Sequence, residues 1–141
     1  VGFDPESSSG LLASGWSAWE KTAEGDTFVW AQAKTAALRI ASRGDGDRLL
    51  RFRAWPYRFP GAPPQLLTLF VNDAKIESTP LADGPHVYAF IAPKAAFKAG
   101  PNEVRLEFTY AEAPKDRQPG AADARTLAAA FDWLELVPKK T

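Results

Sequence analysis

The chain has 141 residues, enough for one domain with a sizeable core and too few for two of ordinary size. Its 17 Lys and Arg balance its 17 Asp and Glu, and a zero formal charge argues against a nucleic-acid binder, which carries a basic excess. Cys is absent and His86 is the single histidine, which excludes disulfides and thiolate metal sites and leaves hydrolytic triads one residue to rest on. No apolar run reaches the length of a membrane span, so no direct membrane insertion is expected. No charged–apolar–small leader pattern opens the sequence. Beginning at Val1, the chain reads as a processed chain or a piece of a longer protein.

Taken in chain order, "SGWSAWE" brings Trp16 and Trp19 ahead of the first clear strand. "TFVWAQ" and "AALRIAS" then read as strands. Gly44-Asp45-Gly46-Asp47 separates them from "DRLLRFRAW", where Leu50, Phe52 and Ala54 alternate with Arg51 and Arg53. Such period-two alternation puts one face in a core and the other in water. "WPYRFPGAPP" holds four prolines and is expected to be a long loop carrying Trp55, Tyr57 and Phe59, because proline donates no ladder hydrogen bond. "LLTLFVND" leads into a tight hairpin at Asn72-Asp73, two residue types that tolerate the left-handed conformation. His86 starts the strand "HVYAFIAP" and reads as a surface residue. "APKAAFKAG" suggests one helical turn closed by Gly100. "NEVRLEFTY" points Val104, Leu106, Phe108 and Tyr110 to one side. "AEAPKDRQPGAADAR" is a second long loop, which Asp123 and Arg125 are expected to fix. "ADARTLAAAF" and "FDWLELV" close the chain as strand. The sum is about seven or eight strands without a long amphipathic helix, an all-β pattern. It predicts one unit over residues 1–138 and a short tail at 139–141.

Several of these motifs, in this order, resemble the galactose-binding-like jelly-roll domains. The Gly-x-Asn turn at Gly100–Asn102 before an alternating strand is similar to that family's "G-x-N-x-V-x-L" step, and "FVNDAKI" to its "V-N-G-x-x-V" hairpin. "DARTLAAAFDWLELV" resembles its closing strand, and "GWSAWE" with "TFVWAQAKTAALRI" its opening. The matches cover roughly residues 10 to 138. The resemblance implies an antiparallel β-sandwich of jelly-roll type, met in carbohydrate-binding modules and in accessory domains of bacterial glycan-processing proteins. It implies a secreted, periplasmic or cell-envelope location, a polysaccharide or oligosaccharide partner, and a catalytic domain on the same parent chain. It also implies a structural calcium ion, for which Glu20 and Asp132 fall at broadly matching places. The paired N-terminal acids of that site are not evident, since Glu20, Glu24 and Asp26 are spread loosely.

Within that frame the aromatic residues are the candidates for ligand contact, because a flat apolar ring suits the C–H face of a sugar. Trp55 and Tyr57, on a loop stiffened by proline, form one expected platform, with Arg53 or Arg58 to bond hydroxyls or an acidic group. Trp16 and Trp19 form the competing platform, although their spacing puts them on opposite strand faces. Trp30 and Trp133 are expected in the core. Arg39, Arg43, Arg48, Arg51, Arg53 and Arg58 concentrate in one stretch, and the plain reading is an outer face balanced by acids of a neighbouring strand. No pair of acids lies in a recognisable glycosidase motif, so the expectation is a monomeric, non-catalytic module. The alternative is a docking sandwich that packs on a catalytic domain and binds no glycan.

Overall fold

The computed structural model describes residues 12–17, 20–42 and 47–138. Its strands are β1 (Leu12–Ser14), β2 (Glu20–Lys21), β3 (Thr27–Ala31), β4 (Thr35–Ser42), β5 (Arg48–Pro56), β6 (Gln65–Val71), β7 (Ala74–Leu81), β8 (His86–Ala92), β9 (Gly100–Phe108) and β10 (Ala129–Pro138). They form two five-stranded antiparallel sheets, ordered β1-β4-β9-β6-β7 and β2-β3-β10-β5-β8. Along β1 to β10 the described chain crosses between sheets seven times rather than finishing one sheet first, and the result is the all-β jelly-roll sandwich expected from the sequence. Helix among the described residues is limited to the turn Lys94–Ala96, at the place expected, and to α1 (Pro114–Arg117), which the sequence reading took as loop. Proline begins α1, where its missing N–H has no intrahelical partner to lose.

Alternation decides what is inside. Leu50, Phe52 and Ala54 of β5 are buried, as are Val104, Leu106 and Phe108 of β9 and Val29 and Ala31 of β3. Phe52 sits at the centre, its ring 5.4 Å from Tyr88, 5.6 Å from Phe90 and 5.7 Å from Phe131. Each large apolar side chain so buried contributes about 1.5–3 kcal/mol. The loop following Tyr110 returns the chain to β10, which pairs with β5 from Ala129↔Pro56 to Pro138↔Arg48, with a bulge between Phe131 and Trp133.

Buried polar groups fasten the ends of the sandwich. Gln65, without exposed surface, donates to the carbonyls of Tyr110 (2.8 Å) and Ala128 (3.1 Å) and accepts from the Tyr110 N–H (3.2 Å). One amide side chain thus ties β6 of one sheet to the entry of β10 in the other. At the opposite end, Asn72 and Asp73 take positive φ of 48° and 70°, as a tight hairpin requires. Asn72 donates to Asn102 Oδ1 (2.7 Å), and the buried Asn102 in turn donates to the carbonyls of Lys98 and Gly100. Gly15 has no substitute. Its φ is +84°, and a Cβ there would lie 2.5 Å from the Thr35 carbonyl oxygen.

Three expectations need correction. Trp55 and Pro56 belong to β5, so the proline-rich loop starts only at Tyr57; the proline closes a strand end rather than interrupting its middle, where it would break the ladder. Tyr57, expected as a platform, is 7% exposed. Trp30 and Trp133, expected in the core, lie half-buried outside it, because their inward-facing neighbours Val29, Ala31 and Leu134 take the core positions. Trp19 and Arg43 lie outside the described residues.

Gln65→Ala should lower stability by about 2–4 kcal/mol, since it strands a buried N–H and removes bonds from two carbonyls. Chemical denaturation reads this directly; a loss below about 1 kcal/mol would mean that the network is not a fastening.

Candidate functional site

The outward face of the sheet β2-β3-β10-β5-β8 collects the side chains of interest. Because period two sends Phe28 and Trp30 out of β3 and Arg51, Arg53 and Trp55 out of β5, they share a surface with Trp133 and Glu135 of β10. Ala130 pairs with Trp30 on one side and Trp55 on the other. It points away from the inner core yet has no exposed surface, so the flanking rings cover it. The rings form a row. Tyr57 lies 6.2 Å from Trp30, Trp30 6.1 Å from Phe28, and Phe28 5.3 Å from Trp55.

Phe28 and Trp55 floor an open groove of about 500 Å³ rimmed by Lys21, Thr22, Glu24, Asp26, Arg53 and Pro85. A second hollow of about 490 Å³ adjoins it, lined by Asp26, Thr27, Arg53, Asp132 and Trp133. Asp26 and Arg53 belong to both, so the two make one groove. Asp132 is the extra residue of the β10 bulge. Its side chain is 9% exposed; Oδ2 accepts from Arg53, and Oδ1 is buried with no hydrogen-bond partner. Arg51 bonds Glu135 (Nε to Oε1 2.6 Å) and lies 5.8 Å over the Trp133 ring, which covers one face of that indole. Arg51 and Arg53 are thus balanced by acids of the neighbouring strand, as expected, whereas Arg48, also expected on that outer face, is buried.

Of the residues singled out in the sequence, the structure brings Trp55, Arg53 and Asp132 together in this groove. Tyr57 is at the end of the aromatic row, its hydroxyl donating to Gln118 (2.9 Å) and pushed up in pKa, chiefly by burial. Arg58 serves the proline-rich loop, bonding Asp83 (3.1 Å) and the carbonyls of Pro63 (2.6 Å) and Ala62 (3.2 Å). Trp16 packs edge-on against Phe131 at 5.5 Å and donates its indole N–H to the Ala37 carbonyl (2.7 Å), which makes it an inward anchor. Phe28 and Asp26 were missed. Phe28 shares the side of Trp30 at period two, so placing Trp30 in the core hid both outward rings together.

The long loop is fixed as expected. Arg125 bonds Asp123 (2.7 Å) and reaches Glu20 of β2 (2.8 Å), and these two carboxylates raise its pKa. The Arg125 guanidinium, followed by its backbone N–H, holds the Asp123 carboxyl below the ordinary 3.8. Arg117 does the same for Glu112.

A calcium ion needs six to eight oxygen ligands. Glu20 on β2 and Asp132 on β10 flank β3 from opposite sides, and Arg125 and Arg53 respectively hold their carboxylates. Among the described residues no three acidic or histidine side chains converge. Glu20 and Asp132 therefore do not fit a shared calcium ion.

No family model matches the chain, and no curated protein matches it. Solved structures do. A family 35 carbohydrate-binding module from Cellvibrio japonicus Abf62 superimposes with a TM-score of 0.60 at 18% identity, covering 96% of this chain and 92% of that one. The C-terminal family 6 module of LamC, a marine laminarinase of Zobellia galactanivorans, gives 0.56 at 10% identity over 94% of both chains. A family 35 module from an environmental isolate gives 0.56 at 15% identity, over 92% and 93%. The fold is the jelly-roll β-sandwich of the carbohydrate-binding modules of bacterial glycan-processing enzymes.

Two outcomes follow for the acids. Adding millimolar calcium to chelator-treated protein should leave the melting temperature unchanged; a rise of several degrees would restore an ion to Glu20 or Asp132. The depressed Asp123 and Glu112 carboxyls stabilise the fold fully above their unfolded pKa values, and this contribution is lost as pH falls through the lower folded values. Arg125→Gln should therefore lower the melting temperature at neutral pH by about 1–4 °C and flatten its decline below about pH 4. Parallel melting curves for variant and parent across that range would contradict the pairing.

Proposed function

We propose that this chain is a non-catalytic carbohydrate-binding module of a larger extracytoplasmic glycan-processing protein, gripping oligosaccharide on the outer face of one sheet. The observation that carries the reading is the pair Phe28 and Trp55, two outward aromatic rings 5.3 Å apart at the floor of a polar-rimmed groove. Sugar rings present an apolar C–H face and a rim of hydroxyls, and such a groove matches both features. The apolar floor supplies area, and the polar rim fixes orientation. Strand positions hold the rings before ligand arrives, which spares the ordering cost a loop platform would incur. The likeness to family 6 and family 35 modules supports the same reading.

A docking role has its own observation. Val87 (53% exposed) and Ile91 (50%) stand on the edge strand β8, on the same outward side as Arg53 and Trp55. A neighbouring catalytic domain packed on that edge would cover them. The two readings differ in what Trp55 does.

Trp55→Ala, titrated calorimetrically with soluble β-glucan, xylan and mannan oligosaccharides, should lose about 1–3 kcal/mol of binding free energy with a melting temperature close to the parent's. Parent protein that binds none of these, or a variant that melts far lower while keeping sugar affinity, would return Trp55 to a structural role.

A further inference from the structure

We propose that Asp132 makes the groove selective for neutral over acidic glycans, by holding the one groove arginine and by presenting an acceptor of its own. This inference rests on the glycan-binding reading above. A free guanidinium recognises a uronate carboxylate or a sulfate with paired N–H donors. Among the described residues, the outward face and the neighbouring proline-rich loop hold Arg51, Arg53 and Arg58, and each is engaged. Arg51 bonds Glu135, Arg53 bonds Asp132, and Arg58 bonds Asp83 and two backbone carbonyls. The residues lining the groove include two cations, Lys21 and Arg53, against three carboxylates, Glu24, Asp26 and Asp132. An incoming anion therefore meets a surplus of negative charge and no unmatched fork.

A neutral sugar meets the opposite situation. Its hydroxyls donate, and carboxylates are strong acceptors for them. Glu24 and Asp26 are exposed at the rim. Asp132 is the deeper group, its side chain more than nine-tenths buried and its Oδ1 without a hydrogen-bond partner. A buried acceptor in that condition is costly until a donor reaches it. The bulge explains why an acid sits here at all. The extra residue between Phe131 and Trp133 falls out of the ladder's alternation, which sets a second carboxylate of β10, besides Glu135, on the outward face against Arg53.

The test compares calorimetric titration of the parent, Asp132→Asn and Asp26→Asn with two probes, neutral xylo- and gluco-oligosaccharides and galacturonate oligosaccharides. The parent should bind a neutral probe with an affinity that hardly changes between about 0.05 and about 0.5 M salt, and should not bind galacturonate. Asp132→Asn releases Arg53, so neutral affinity should fall about tenfold and a salt-sensitive galacturonate affinity should emerge. Asp26 is exposed, so Asp26→Asn should keep the parent's melting temperature while weakening neutral binding several-fold; this holds even if Asp132→Asn fails to fold. Tighter, salt-sensitive binding of galacturonate by the parent would overturn this inference and leave the glycan-binding reading standing. Failure of the folded parent to bind either probe would overturn both.

Discussion

The pairing of β10 with β5 is the constraint on which the rest depends. It runs the full length of both strands, from Ala129↔Pro56 to Pro138↔Arg48, and places them side by side in the middle of one sheet. Inward, the pair delivers Phe131 and Leu134 against Phe52 and Leu50. Outward, it delivers Trp133, Glu135 and Asp132 against Arg51, Arg53 and Trp55. Core and candidate site are thus opposite sides of one ladder. A one-residue slip would bury the arginines and expose the phenylalanines, so the hydrophobic effect that sets the register also aims the groove.

The single irregularity in that ladder matters as much as its regularity. A perfect ladder would leave no room for Asp132 beside Trp133 on the same face. The bulge adds a carboxylate among large rings, and Arg53 from the facing strand matches it. Small residues complete the arrangement. Ala130 lets the rings of Trp30 and Trp55 approach over β10, where a larger side chain would push them apart. Outside the groove, Arg125 links the long loop to β2 through Glu20, which steadies the edge from which Lys21 and Thr22 contribute to the rim.

Much of the fold was legible because alternation is a local signal. "DRLLRFRAW" and "NEVRLEFTY" name their inner faces in a few residues, and Asn72-Asp73 names its hairpin. The site was less legible, for a physical reason. Trp is both a core residue and a ligand platform, and composition does not separate the roles. Trp16, read as a platform, is anchored inward by its N–H to Ala37; Trp30 and Trp133, read as core, face out. Four prolines suggested that the loop begins at Trp55, but a proline at a strand's end costs the ladder little. Gln65, which joins the two sheets, has no sequence signature. Its importance comes from contacts with Tyr110 and Ala128, far along the chain. The acids Glu20 and Asp132 sit on strands that flank β3 from opposite sides, and each bonds an arginine, Arg125 and Arg53 respectively, that is distant from it in sequence.

The central claim is that the outward groove, floored by Phe28 and Trp55, is where this module meets glycan. The indole N–H signals in a nitrogen–proton correlation spectrum report on it directly, since each tryptophan gives its own peak. On titration with neutral xylo- and gluco-oligosaccharides, the Trp55 indole peak should shift progressively with ligand. The Trp16 peak should stay still, because its N–H is committed to the Ala37 carbonyl inside the sandwich. A shift confined to Trp16, or a saturating titration that leaves Trp55 unmoved, would place the binding surface elsewhere and contradict the account.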